Sequence, residues 1–560
     1  MKRWKILNKI QNSKIKNQKF EIKEIIKALL ENRGLKTQKE IDEFLNPDIS
    51  KIDYKKAGID IKDIKRSVKR IKDAVANNEK IIIFGDYDVD GICGTAILWE
   101  SLYSFYRNVF PYIPDRVDEG YGLSCNGISN IKDQKSKIND AKLIITVDNG
   151  ISANEAVDFA KKEGIDVIIT DHHALPKILP KAYSIVHTTK LCGAGVAYLL
   201  AKEVLNKIKN FKREEDNHLE LVALATIADL VPLSGSSRVF VKEGLRKLTA
   251  TKRPGLLHLY KLAGIDNKNL GVYEVGYIIG PRLNAMGRMS SAMDSLRLVC
   301  TKNMQKANIY AGNLDRTNRE RQVLTEETAI HAISLNQNLS SKIVFVYQAE
   351  YNQGIIGLVA SKLVEEFYRP SFVLSVGEKY SKGSARSISG VNIIDLIRSV
   401  PSELLIDAGG HPMAAGFTVH TNKIEDFKQE LEKKANEVIT DDLLQRVVRI
   451  DLVLGFNDVN FDLYGKIQTL SPFGIGNPEP VFATQDAFVN DMNFVGRDKN
   501  HLKLKIEKDG VIFDAIAFGF GQKADFAVND KIDVAYIIDN NSWNGNSKLQ
   551  LKIKDVRKRD

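Results

Sequence analysis

The 560-residue sequence predicts a multidomain α/β protein. It should hold a parallel sheet, a second α/β unit joined to the first by a long helix, and a C-terminal β-barrel. Three observations predict this. First, short β-branched runs such as Lys80–Phe84, Leu143–Val147 and Asp166–Thr170 each end in Gly or polar residues, the pattern of strands buried on both faces of a parallel sheet. Second, Asn303–Leu335 is charged throughout, lacks proline and has Gly312 as its sole glycine, which predicts one or two long helices. Third, Leu502–Glu507 and Leu549–Ile553 alternate apolar and polar residues with period two, as half-buried strands do.

In chain order, residues 1–75 read as a Lys-rich helical preface, with helical spacing in Ile22, Ile25, Ile26, Leu29 and Leu30. Residues 76–250 alternate apolar runs with amphipathic stretches and should form the parallel-sheet domain. Residues 251–340 carry few strand signals and read as a helical connector. Residues 341–437 open a second α/β unit with Ile343–Tyr347. Residues 445–560 read as the barrel, with Asn544-Gly545 as a hairpin turn.

Composition narrows the function. A chain of this length should divide into roughly three to four domains of ~150 residues, and 43% apolar content supports sizeable cores. The four cysteines, Cys93, Cys125, Cys192 and Cys300, form no CxxC pair. Neither a zinc knuckle nor a disulfide framework is expected, and a cytoplasmic location is. The basic start Met1-Lys2-Arg3-Trp4-Lys5 is followed by no apolar leader. No apolar stretch approaches ~18 residues, so no membrane span is expected. Lys+Arg (81) exceeds Asp+Glu (71), which favours a polyanionic partner.

The chemistry lies where the strand-like runs end. Lys80–Phe84 leads into Gly85-Asp86-Tyr87-Asp88-Val89-Asp90-Gly91, Leu143–Val147 into Asp148-Asn149-Gly150, and Asp166–Thr170 into Asp171-His172-His173. Ligands of open α/β sheets bind beyond the carboxyl ends of the strands, so one rim should collect these groups. Asp86-x-Asp88-x-Asp90-Gly91 resembles the start of an EF-hand loop. The twelfth position, however, is Ile97 instead of Glu, and a strand precedes the loop instead of a helix. Close carboxylates repel unless a cation neutralises them. An oxygen-rich set with one or two imidazoles suits Mg²⁺ or Mn²⁺ better than zinc. Asp229, after the apolar stretch Leu221–Ile227, completes the set. Such a constellation points to a metal-dependent hydrolase of phosphate esters.

The order DYDVDG (86–91), VDNG (147–150), DHH (171–173) and ADLVPL (228–233) resembles the DHH phosphoesterase superfamily. GGHPMAAG (409–416) is similar to the GGH motif of the DHHA1 domain. LLENRGLKTQKEIDEFLNP (29–47) and SPFGIGNPEPVF (471–482) resemble the N-terminal segment and the start of the OB domain of the RecJ family, single-strand-specific DNA exonucleases. The resemblance covers nearly the whole chain. It implies a DHH domain, a DHHA1 domain and an OB fold, with degradation of single-stranded DNA from the 5′ end to 5′-mononucleotides in recombination and repair. It also implies two divalent cations, Mn²⁺ or Mg²⁺, on Asp88, Asp90, Asp148, His172 and Asp229. Asp148 would be the bridge, Asp86 a ligand or a neighbour of the ligands, and His173 a supporting group or proton donor. Asp171 would orient the histidines, since a ligating His usually needs an acceptor on its other side. No oligomerisation signal stands out, so a monomer is expected, and no membrane partner; a helicase and a single-strand-binding protein are expected to prepare its substrate.

For phosphate binding, the candidates are Gly409, Gly410 and His411, then Ser384 and Arg386, and also Arg116, Arg282 and Arg288. Within the barrel they are Phe473, Arg497, Lys499 and Lys503, with Phe482 and Phe494 as further aromatics. Asn352 stands where relatives commonly carry His. Two other readings remain: a superfamily enzyme acting on short oligonucleotides, which would lack the barrel, and a non-catalytic single-strand-binding scaffold, which would have lost metal ligands.

Overall fold

Lys80–Gly85, Ala141–Val147 and Asp166–Asp171 are the three central strands of a five-stranded parallel sheet in the computed structural model of the chain. The structure describes residues 2–8, 20–116, 118–133, 135–136, 138–208, 218–521, 524–543 and 546–559. The sheet order is Val109–Tyr112, Lys80–Gly85, Ala141–Val147, Asp166–Asp171, Ser184–His187. Period-two alternation explains the unbroken apolar runs. Ile81 and Ile83 enter one core with Ile92, Ile97 and Leu199, whereas Ile82 and Phe84 enter the other with Ile128 and Val157. Both faces are covered, so neither set of positions tolerates polar residues.

The chain leaves Lys80–Gly85 toward one edge strand and returns to place Ala141–Val147 on its other side. The strand order therefore reverses between these two strands, and the crevice at such a reversal is where open α/β sheets bind ligands. Asp86 and Asp148 follow the two strands directly.

Packing divides the chain into two units. One comprises residues 42–321 with 472–478 and contains the parallel sheet. The other comprises residues 1–41, 322–471 and 479–560. In the latter, a five-stranded mixed sheet has the order Asp407–His411, Ala414–His420, Tyr380–Arg386, Ser371–Ser375, Val344–Gln348. Its core includes Phe372, Phe417 and Phe427. The barrel closes because Phe482–Val495 pairs with both His501–Lys508 and Lys531–Trp543. Leu502, Leu504 and Ile506 are buried, while Lys503 and Lys505 between them are exposed. The expected turn at Asn544-Gly545 lies outside the described residues, and the flanking strands Lys531–Trp543 and Asn546–Lys558 pair antiparallel.

Three expectations need revision. Residues 1–75 are not a helical preface alone. Arg3–Ile6 is a strand pairing parallel with Val447–Ile450, and Trp4 Nε1 donates to Asp555 at 2.7 Å. The partition of the chain also falls inside this stretch, at residue 41. The connector holds more than long helices. Pro254–Ala263, Gly280–Met289 and Met293–Cys300 are short helices ahead of the long helix Met304–Ser334. Phe473 is not a barrel residue. Segment 472–478 packs with the parallel-sheet unit, where Ile475 O accepts from Leu233 N at 2.7 Å and Pro472 O from Arg238 Nη1 at 3.2 Å.

Candidate metal centre

Each acidic side chain of the rim is held by the backbone around it. Asp88 caps the helix Val89–Tyr103, its Oδ1 accepting from Asp90 N at 2.9 Å and Gly91 N at 3.0 Å. Gly91 allows the tight loop, because a Cβ there would sit 2.5 Å from Asp86 O. Asp90 accepts at 2.6 Å from both Gly193 N and Ala194 N, the first amides of the helix Gly193–Asn206. Asp148 adopts φ +64, an uncommon conformation for a residue with a side chain. Gly193 makes room for it, since a Cβ at 193 would meet Asp148 Cβ at 2.6 Å. Asp229 ends the helix Leu219–Ala228.

These elements bring Asp86, Asp88, Asp90, Asp148, His172, His173 and Asp229 together. Ligand atoms lie within 4.8 Å of one another in three overlapping sets: Asp86, Asp88 and Asp148; Asp90, His172 and Asp229; and Asp148, His172 and His173. His172 Nε2 stands 3.1 Å from Asp148 Oδ1, 3.5 Å from Asp229 Oδ2 and 3.6 Å from Asp90 Oδ2. Asp171 organises the histidine pair. Its Oδ1 accepts from His172 N and His173 N and pairs with His173 Nδ1 at 2.8 Å, while its Oδ2 accepts from Ile151 N.

The electrostatics fit cations. Asp86 Oδ1, Asp148 Oδ1 and His172 Nε2 are buried with no hydrogen-bond partner, an expensive state unless a further ligand completes them. Burial, followed by the neighbouring carboxylates, pushes Asp86, Asp148 and Asp229 well above the ordinary carboxylate range. Burial also raises Asp90, against the pull of His172 and the two helix amides. So many carboxylates cannot all be charged here without positive counter-charge. Burial lowers His172, which keeps its imidazole neutral, as a ligand must be. Burial likewise disfavours charge on Asp171, but its bonds to His173 hold it below the usual range. His173 is pushed up to about 9 despite burial, through Asp171.

The other candidates are distributed as follows. Arg116 stacks over the Tyr87 ring at 5.3 Å, and its charge reaches Asp86. The charge of Arg288 reaches Tyr87. Arg282 is engaged by Asp315 at 3.0 Å and by Ile278 O. In the mixed sheet, Ser384 and Gly409 flank Gly416, and Arg386 and His411 flank Ala414. The even spacing sets Ser384, Arg386, Gly409 and His411 on one face, and Gly410 lies at φ +139 in the same strand. Arg386 Nη1 donates to Ser384 Oγ at 3.2 Å. Asn352 Oδ1 accepts from Gly354 N at 2.7 Å, fixing the turn before the helix Ile356–Phe367. In the barrel, Arg497, Lys499 and Lys503 are exposed, Phe494 is half-exposed and Phe482 belongs to the core.

Sequence reasoning missed several supporting residues. Tyr121 OH lies 3.2 Å from His173 Nε2. Asn284 Oδ1 accepts from Val89 N at 3.0 Å, and Gly287 lies against Tyr87 O. Gly357, in the first turn of Ile356–Phe367, leaves room for Ser384 and Arg386, because a Cβ there would stand 2.9 Å from Ser384 Oγ and Arg386 Nη2. Gly-Ala-Gly at 193–195 ahead of an apolar helix was a readable signal for a helix end approached by an anion. The others had none.

Comparison with known proteins agrees with this arrangement. The model of the DHH family N-terminal domain matches residues 80–226, that of the DHHA1 domain 340–437, and that of the RecJ OB domain 450–555. The single-stranded-DNA-specific exonuclease RecJ of Bacillus subtilis is 36% identical over 570 residues, covering 99% of this chain and 70% of that protein. The corresponding protein of Haemophilus influenzae is 32% identical over 524 residues, covering 88% and 90%. The crystal structure of RecJ from Thermus thermophilus in complex with Mn²⁺ is similar with a TM-score of 0.83 and 27% identity, covering 100% of this chain and 80% of that one. Its complex with Mg²⁺ gives 0.77.

Proposed function

Since the chain belongs to the RecJ family, we propose that it is a metal-dependent exonuclease that degrades single-stranded DNA 5′→3′ to 5′-mononucleotides, in recombination and repair. The observation that carries this reading is the convergence of Asp86 Oδ1, Asp148 Oδ1 and His172 Nε2, buried without hydrogen bonds, at the strand-order reversal. Asp88, Asp90, Asp148, His172 and Asp229 are the residues that would hold the cations, Asp148 being common to two of the three candidate sets, and Asp86 would lie beside them. Bound there, two divalent cations, Mn²⁺ or Mg²⁺, would supply Lewis acidity for phosphodiester hydrolysis.

The remaining chemistry belongs to the protein. Asp171 fixes the His173 ring through Nδ1, so that a proton on Nε2 is available where Tyr121 OH now lies. Asp90 is oriented by the amides of Gly193 and Ala194 and cannot swing away. Ser384, Arg386, Gly409 and His411 form a polar sheet face suited to phosphate oxygens, with Gly410 between the last two as a further proposed phosphate contact. Arg116 and Arg288, near Tyr87, are further proposed phosphate contacts. Arg282 would have to leave Asp315 to serve as one.

The exposed cations of the barrel suit a single-stranded backbone. We further propose a monomer acting after a helicase and beside a single-strand-binding protein. A cytoplasmic location is supported by four unpaired cysteines. Among the described residues no helix is long and apolar enough to cross a membrane. The test is single-stranded DNA labelled separately at each end, incubated with Mn²⁺, Mg²⁺ or EDTA. Mononucleotides released first from the 5′ end, only with metal and not by Asp148→Ala, are expected. Release from the 3′ end, or metal-independent release, would refute the reading.

A further inference from the structure

Tyr273 and Tyr277 stand 63% and 73% exposed, with their rings stacked on each other at 5.1 Å and 27°. Tyr277 sits on a π-helical turn, Glu274–Ile279, and Tyr273 directly precedes that turn. Such turns are rare and frequently mark functional sites. This turn packs against the end of the helix that Asp229 terminates. A Cβ on Gly276 would lie 3.6 Å from Ile227 Cγ2, and one on Gly280 would lie 3.4 Å from Ala228 Cβ, the residue before Asp229. The helix that follows contacts the other ligand loop through Asn284 and Gly287. Leu230, directly after Asp229, is 65% exposed and held at φ +59. Leu230 thus flanks a proposed ligand, and the tyrosines stand on a neighbouring stretch that touches both acidic segments.

The surroundings decide what covers the pair. Between Gly271 and Met289 the charged residues are Glu274, Arg282 and Arg288, and Glu274 is engaged in capping Gly271 N at 2.8 Å. Two aromatic side chains bury roughly 150–250 Å² each, well short of the ~800 Å² per partner of a stable protein interface. A pair of exposed, flat aromatic rings suits a nucleic-acid base instead, because every base offers a π-face regardless of sequence.

Building on the exonuclease reading, we propose that Tyr273 and Tyr277 are a stacking platform for a base of the single-stranded substrate, a few nucleotides from the scissile bond. The platform holds the strand in register without reading its sequence.

The test is steady-state cleavage of single-stranded oligonucleotides in which one nucleotide at successive positions is abasic. The unmodified chain should lose about 10-fold in kcat/KM, mainly through KM, at one or two positions. Tyr277→Ala should lose the same factor on the intact strand and nothing more at those positions, whereas Tyr277→Phe should retain activity. Losses that simply multiply, or equal KM for Tyr273→Ala/Tyr277→Ala and the unmodified chain, would overturn the platform alone. Failure of the unmodified chain to cut intact strands would overturn the exonuclease reading beneath it.

Discussion

At the scale of single residues, Gly193 shows how little slack the centre has. Its hydrogen occupies the space beside Asp148, while its amide holds Asp90. Gly193→Ala should shift the helix end or Asp148 at a cost of about 1–3 kcal/mol and should lower activity more than stability. Comparing the urea midpoint with cleavage rate checks this. Asp171 supports the histidines without belonging to any of the three candidate ligand sets. Asp171→Asn should reduce activity about 10–100-fold and lower Mn²⁺ affinity in a direct titration. Asp86, Asp88, Asp90, Asp148 and the histidines were legible because they follow strand-like runs, and Asp229 because it completes their set. Tyr121 and Asn284 were not, because they reach the site through packing between segments distant in sequence; nor was Gly357, which meets Ser384 and Arg386 only through the packing of the mixed-sheet unit. Phe473 misled because proximity in sequence to the barrel does not determine where segment 472–478 packs.

At the scale of elements, the helices Val89–Tyr103 and Leu219–Ala228 each carry a proposed ligand at one end and an acidic anchor near the other. Arg253 donates to Glu100 at 2.8 Å with both Nη atoms and also pairs with Glu220, while His218 Nε2 lies 3.1 Å from Glu100. Burial opposes the Glu100 charge, yet these bonds bring its pKa down to about 2 from 4.5. A depressed carboxylate pKa stabilises the fold above the unfolded value, and that contribution is lost as pH falls toward the folded value. Glu100→Gln should therefore be about 2–4 kcal/mol less stable near neutral pH, with the gap narrowing between about pH 5 and about pH 3. Unfolding by urea across that range measures it. Parallel strands were legible because burial on both faces leaves a continuous apolar signature. The strand Arg3–Ile6 was not, since Arg-Trp-Lys-Ile has no apolar run and gains its pairing only from Val447–Ile450.

At the scale of the whole molecule, the amino terminus and the barrel are not separable parts. Trp4 bonds Asp555, and Asn32 bonds Asp451. Deleting residues 445–560 would therefore remove partners of the first 41 residues as well as a binding surface, and loss of activity on deletion would say little about DNA. Charge removal on the exposed surface is cleaner. Arg497→Ala, Lys499→Ala and Lys503→Ala together should leave the melting temperature unchanged. They should lower the salt-dependence slope of single-strand binding by about 0.7 for each phosphate no longer neutralised. An unchanged slope would place the strand elsewhere.

The order of parallel sheet, mixed sheet and barrel was readable from strand periodicity and motif order. The packing of the chain into two units that interleave in sequence was not, because such packing leaves no local pattern. We propose that the strand-order reversal assembles a two-cation centre on Asp148 and its neighbours. It is tested most directly by titrating the purified chain with Mn²⁺ and counting bound ions by electron paramagnetic resonance. Two ions per unmodified chain, and loss of both sites' affinity in Asp148→Ala, are predicted. A single ion in the unmodified chain, or an unchanged count in Asp148→Ala, would contradict it.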